Sequence, residues 1–218
     1  MNSIGLIHSP YKEKFSIPRQ PGLTTVESTV ELLSPFNRQE ALKGLENFSH
    51  LWVIFLFHET SPTDEHSLTV RPPRLGGNTK QGVFATRSPF RPNNIGLSLV
   101  KIKKIEGTAI QIIGGDFLDQ TPVLDLKPYL PQIESIPESS GAWTDKLENK
   151  KLPVIFENET EKKLDEKTKN CIAEILSLDP RPSFHNDEYK TYGSRLFHFD
   201  VHWIVRGNQV FVTGIDHI

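Results

Sequence analysis

The chain has 218 residues, 36% hydrophobic and 24% charged, with Phe the dominant aromatic at 13 copies, a globular composition that excludes disordered and fibrous classes. Its net charge of −2 hides a polarised layout: Arg71 to Lys104 carries eight Lys and Arg residues with no Asp or Glu, whereas Glu134 to Glu166 carries nine acids against five lysines. A single cysteine, Cys171, excludes an intramolecular disulfide and a cysteine-built zinc site, and the longest apolar run, Leu51 to Phe57, falls far short of the roughly 20 residues a membrane-spanning helix needs.

In chain order, short runs rich in β-branched and aromatic residues come first. They are Ile4–His8, Thr25–Leu33, His50–His58, Ser67–Arg71, Gly82–Thr86, Ile95–Ile105, Ala109–Ile113 and Val123–Leu126, punctuated by Gly, Pro and Asn. His50–His58 is apolar through its middle and reads as a central or barrel strand. One short helix is expected between Phe36 and Leu45, with Asn37 as N-cap and Glu40 completing a capping box. Strand–helix alternation is lacking, so residues 1–130 are expected to form a closed antiparallel β-barrel, which hides its edge strands. Residues 131–156, rich in proline, are expected to be an extended connector. Residues 157–218 are expected to be a small α+β appendage. Its helix carries Leu164, Thr168, Cys171, Ile172, Ile175 and Leu176 and stops at Asp179-Pro180. A hairpin follows, with strands over Leu196–Val205 and Gln209–Thr213 about Arg206-Gly-Asn208. The opening residues lack the basic and long apolar segments of a secretory leader, and a soluble cytoplasmic protein is expected.

Several familiar sites are missing from the pattern. Gly76 to Gly82 lacks the Gly-Lys-Ser/Thr core of a phosphate loop, and no Gly-x-Gly-x-x-Gly follows a strand. The eight histidines include no His-Glu-x-x-His pair, so no metal site is expected. Ser88 lies in no nucleophile elbow. What stands out instead is four proline-fixed loops bearing polar side chains: Pro18–Gly22, Arg71–Gly77, Thr86–Leu97 and Asp116–Tyr129. Proline lowers the entropy lost when a loop is held in a binding geometry, so such side chains are preorganised. The basic block among them suits phosphates or a carboxylate ligand.

Taken together, Ile7-His-Ser-Pro-Tyr-Lys-Glu-Lys-Phe15, Pro18-Arg-Gln-Pro-Gly22, Phe48-Ser-His-Leu-Trp52, Thr69-Val-Arg-Pro-Pro-Arg74, Gly82-Val-Phe-Ala-Thr-Arg-Ser-Pro-Phe-Arg-Pro92 and Leu124-Asp-Leu-Lys-Pro-Tyr129 resemble the TsaA-like, or TrmO, family. The resemblance continues through Leu178-Asp-Pro-Arg-Pro182, Tyr192-Gly193 and Asp200-Val-His-Trp203 and so spans nearly the whole chain. Two positions depart from the family pattern: Asn94 replaces a usual Pro, and Gln120 a usual Gly.

The resemblance implies an S-adenosylmethionine-dependent methyltransferase that works as a homodimer on N6 of threonylcarbamoyl-adenosine beside the tRNA anticodon. Its cofactor residues would be Pro18, Arg19, Gln20, His58, Glu59, Arg87, Leu97, Asp119, Gln120, Thr121 and Pro122. An arginine suits the methionyl carboxylate, while backbone groups and carboxylates suit adenine and ribose. Candidates for the base near N6 are Asp125, Tyr129 and Asp179. Arg71, Arg74, Lys80, Arg91 and Arg181 are expected to hold anticodon-loop phosphates or the threonyl carboxylate. The alternatives are a non-catalytic RNA-binding β-barrel module and a small-molecule hydrolase using Asp/His chemistry.

Overall fold

The β-branched and aromatic runs of the first half pair as strands, and their hydrogen bonding closes six of them into a ring. The computed structural model describes residues 2–60, 68–72, 79–146, 150–181 and 187–218. Along the chain come β1 (Gly5–His8), β2 (Glu27–Leu32), β3 (His50–Leu56), the short pair β4 (Thr69–Val70) and β5 (Gln81–Gly82), β6 (Ile95–Glu106), β7 (Ala109–Ile113) and β8 (Thr121–Pro128). The barrel order is β1-β2-β7-β6-β3-β8, antiparallel throughout, with β8 returning to β1. The closed antiparallel barrel expected from the sequence is therefore present.

Side-chain size along the inward positions shapes the barrel's interior. Leu51, Val53 and Phe55 of β3 alternate with outward neighbours and pack with Val30, Val100, Ile110, Ile112 and Val123. Toward the start of β6 the inward positions shrink to Gly96 and Ser98, opposite Phe55 and Val53. A Cβ on Gly96 would lie 2.2 Å from the Phe55 ring, so only glycine lets that ring lie flat across β6. Small residues on one side of the interior leave the barrel unfilled at that end.

The C-terminal part has a separate core. Strands β9 (Val154–Phe156), β10 (Tyr192–Leu196), β11 (Phe199–Arg206) and β12 (Gln209–His217) form a sheet in the order β10-β11-β12-β9, with β9 parallel to β12. After the one-turn helix α1 (Pro131–Glu134), helix α2 (Glu166–Ser177) buries Ile172, Ile175 and Leu176 in the same core as the sheet. Asp165 caps α2 by accepting from the Thr168 N–H at 3.0 Å. Trp203 is fully buried, and its Nε1 donates to Ser194 Oγ at 2.8 Å. Tyr11 and Val26 from the barrel half also belong to this core, and Tyr11 makes a β-bridge to Leu196. Glu174 of α2 accepts from the Thr25 N–H and hydroxyl at 3.0 and 2.8 Å. The two halves are thus sewn together near the loop that follows Tyr11.

Four local expectations are corrected. Phe36–Leu45 is not an α-helix but contains a 3-10 turn, Gln39–Leu42, preceded by Arg38 with no side-chain cap. Only Leu42 of that turn is buried, too little to offset the cost of nucleating a helix. Gly82–Thr86 leaves the strand at once for a 3-10 turn over Val83–Ala85. β9 lies within the stretch expected to be a connector. The run Leu196–Val205 breaks after Leu196, where Phe197 adopts φ 58° and turns the chain between β10 and β11.

Candidate active site

The unfilled end of the barrel opens into a cavity of about 390 Å³. That is the size of a small-molecule site. Its floor is Phe55, Gly96, Ser98, Asp116, Leu118 and Thr121, and its rim comes from three loops. These are the loop after the Lys14–Ser16 turn, the stretch beyond β3, and the proline-fixed loop before β6. Phe57 meets Phe55 edge to face at 5.0 Å, and Phe117 does so at 4.9 Å, giving the cavity a rigid aromatic side.

The rim groups hold one another. Arg87 Nη1 donates to Gln20 Oε1 at 2.9 Å, joining two of the loops. Lys14 Nζ donates to the Glu59 carbonyl at 2.5 Å and lies 3.7 Å from its carboxylate. Asn94 donates from its side chain to the Thr60 carbonyl at 2.9 Å and accepts the Phe57 N–H at 2.8 Å, so it clamps the stretch after β3. Arg91 donates to the carbonyls of Thr86 and Ser88, bracing its own loop from within.

Asp116 is the acid of the floor. Its Oδ1 accepts the Ser98 hydroxyl at 2.6 Å. Burial pushes its carboxyl up to about 6, against the opposing influence of the Ser98 hydrogen bond and the Arg87 charge. Asp116 opens one of the four loops that stand out in the sequence but is not among the candidate site residues, and Ser98 lies in none of those loops. The available signals were a carboxylate just before the bulky Phe117 and a serine at an inward strand position.

The structure brings together much of the cofactor set implied by the family resemblance. Pro18, Arg19, Gln20, His58, Glu59, Arg87, Leu97 and Thr121 all line the cavity. Asp119 faces a neighbouring groove instead, and Gln120 lies beside it against His8. There Asp119 accepts from the Ser9 N–H at 2.8 Å and Lys12 Nζ at 2.7 Å, and Gln120 Nε2 lies 3.1 Å from His8 Nδ1. Burial favours the neutral form of Asp119, but the Lys12 and Ser9 hydrogen bonds win and hold its carboxyl below the usual range. Pro122 pairs with Leu6 along the barrel wall. Gln120 has φ 62°, the left-handed region that a glycine would enter without strain.

The three candidate bases lie elsewhere. A bulge at Ile54/Phe55 reverses the alternation of β8, so Asp125 sits opposite outward-facing Ile54 and pairs with Lys127 at 2.9 Å. Tyr129 lies on the same outer face, edge-on to His50 and Trp52. Asp179, with φ 49°, chelates Arg181 through Nε at 2.7 Å and Nη2 at 2.9 Å. The Arg181 carbonyl in turn accepts from Arg19 Nη2 at 3.0 Å, which carries this pair to the cavity rim. Of the expected phosphate contacts, Arg71 and Lys80 are exposed, Arg91 and Arg181 are engaged as above, and Arg74 lies outside the described residues. Among the described residues no cluster of three or more His, Cys, Asp or Glu could hold a metal ion, and no helix is long and apolar enough to cross a membrane.

Comparison with known proteins adds a second line of evidence. Residues 6–135 match the model of the tRNA-methyltransferase O N-terminal domain, and residues 149–218 match that of the TrmO C-terminal domain. The chain is 45% identical to the tRNA (adenine(37)-N6)-methyltransferase of Escherichia coli, covering 95% of this chain and 94% of that one. It is 42% identical to the putative S-adenosylmethionine-dependent methyltransferase RcsF of Pseudomonas aeruginosa, covering 93% and 91%. A crystal structure of TrmO from Pseudomonas aeruginosa superposes with a TM-score of 0.80 at 34% identity, over 98% of this chain and 97% of that one. Barrel, cavity and both matched segments lead to one conclusion: this chain belongs to the tRNA-methyltransferase O family.

Proposed function

We propose that the chain moves the methyl group of S-adenosylmethionine to N6 of threonylcarbamoyl-adenosine next to the tRNA anticodon. The observation that carries this reading is the convergence of Pro18–Gln20, His58, Glu59, Arg87, Leu97 and Thr121 on one cavity. When bound, S-adenosylmethionine supplies an electrophilic methyl on a cationic sulfur, so the protein's task is binding, alignment and proton handling. The chemistry of the cavity fits that ligand. Arg87, steadied by Gln20, is the partner for the methionyl carboxylate, and the carboxylate of Glu59 suits ribose hydroxyls. The Phe55 and Phe57 rings give an apolar wall that tolerates a cation.

The tRNA approaches the rim. Arg71 and Lys80 are the exposed cations assigned to phosphates there, with Arg74 beside them in the sequence. Arg181 and Asp179 reach the rim through Arg19, which gives the C-terminal part a place beside the substrate. Asp119, Gln120 and Pro122 contribute by shaping the turn that delivers Thr121. A second copy of the chain is the partner proposed for the barrel's outer face. Leu97, Leu130, Ile133 and Ile136 are 50%, 40%, 75% and 59% exposed around or beyond that face, and Asp125 and Tyr129 would be enclosed there. The setting is the cytoplasm, where tRNA is modified.

Labelled methyl transfer tests the reading with two anticodon stem-loops, one carrying threonylcarbamoyl-adenosine and one carrying plain adenosine. The modified stem-loop is expected to acquire the label at N6 and the plain one to remain unlabelled. RNA binding without saturable S-adenosylmethionine binding would instead identify a non-catalytic module.

A further inference from the structure

Removal of the N6 proton needs a group that reaches the cavity, is ionised near neutrality and still has appreciable proton affinity. Asp125 is turned outward and paired with Lys127, Asp179 is committed to Arg181, and Glu59 sits on the exposed rim beside Lys14. Asp116 alone among these acids lies on the cavity floor, between the aromatic wall and the inward hydroxyl of Ser98.

We propose that Asp116 is the catalytic residue that accepts the N6 proton, and that Ser98 is the positioning residue that holds its carboxylate toward the cavity. The inference rests on the N6-methylation reading above. As the N6–methyl bond forms and the methyl–sulfur bond breaks, the sulfur keeps the bonding pair and becomes a neutral thioether. The proton leaves N6 for the Asp116 carboxylate, its bonding pair stays on nitrogen, and Asp116 later returns the proton to water. The carboxyl's titration near 6 suits this role: ionised at neutral pH, yet more basic than an exposed aspartate.

The other charged groups around the cavity are Lys14, Arg19, Arg87 and Arg91, with Glu59 and His58 on the stretch after β3. Tyr11 lies close enough to sense the Asp116 charge, but burial raises its hydroxyl far above neutrality. His58 is the histidine among these cavity groups, and substitution of Asp116 separates the carboxyl's contribution from the imidazole's.

Single-turnover methyl transfer at saturating S-adenosylmethionine and tRNA is measured from pH 5 to 8, with donor affinity measured by calorimetry. Asp116→Asn is expected to slow transfer by about 10²–10⁴-fold and to erase the acidic limb, while donor affinity stays within a few-fold. Ser98→Ala is expected to move that limb to higher pH, because it removes a hydrogen bond to the ionised form. Carboxyl carbon NMR of the ligand-free protein should show Asp116 titrating upward by the same amount. Retained rate in Asp116→Asn, an unchanged acidic limb, or a loss explained wholly by weaker donor binding would overturn the proposal. If the wild-type protein fails to label the modified stem-loop at all, the N6 reading falls first.

Discussion

The barrel mouth and the C-terminal sheet are built from the same alternating strands, yet they use their inward positions in opposite ways. In the sheet, Trp203, Leu196, Val201, Val205 and Val212 fill the interior, and the buried hydroxyl of Ser194 is satisfied by Trp203. At the mouth, Gly96, Ser98 and Thr121 leave the interior open, and a carboxylate is set where a hydrophobic side chain would have stabilised the fold. Stability is concentrated in one region and chemistry in the other. Changes in each should therefore have separable consequences.

The largest effect on folding is expected in the sheet. Trp203→Ala should lower stability by about 3–5 kcal/mol in a denaturant titration, through the cavity it leaves. Molecules that remain folded should bind S-adenosylmethionine with unchanged affinity. A parallel loss of affinity would show that the two regions are coupled more tightly than their separate cores suggest.

The reciprocal change is Arg87→Ala at the mouth. It should weaken donor binding by about 1.5–3 kcal/mol in calorimetry, the range for a hydrogen bond to a charged group, with the denaturation midpoint unchanged. Near-native affinity would remove Arg87 from the donor site.

The subtlest contrast concerns the pH dependence of folding. Asp116 titrates at about 6 in the folded protein against an ordinary value of 3.8, so the native state holds its proton more tightly than the unfolded chain. Its contribution is thus fully favourable below the ordinary value and is lost as pH rises through 6. Asp116→Asn has no charge to bury and should gain stability relative to the wild type over that window, by up to about 3 kcal/mol. Thermal melts at pH 4 and pH 7.5 check this: the variant's advantage should appear only at the higher pH.

The barrel was legible because its strands are runs of β-branched and aromatic residues and its turns announce themselves. Gly107 between β6 and β7 and Gly207-Asn208 between β11 and β12 are examples. The turn at Phe197-His198 was not, because it reverses the chain without a glycine, proline, asparagine or aspartate. Two rim loops, Pro18–Gly22 and Thr86–Leu97, were legible from their prolines and charges, whereas His58 and Glu59 came only with the family resemblance. The floor was not legible, since Gly96 and Ser98 acquire meaning only through a register that sets them against Phe55 and Val53. Asp125 shows the converse: simple alternation after Val123 points it inward, and one bulge turns it out.

The central claim is that the open end of the barrel is where the methyl donor binds. Backbone amide NMR on addition of S-adenosylmethionine tests it most directly. The largest shift changes are expected at Gln20, Arg87, Leu97, Ser98 and Asp116, with the strands around Trp203 unmoved. Saturable changes centred instead on the groove of Lys12, Lys103 and Lys167, with the barrel mouth silent, would contradict it.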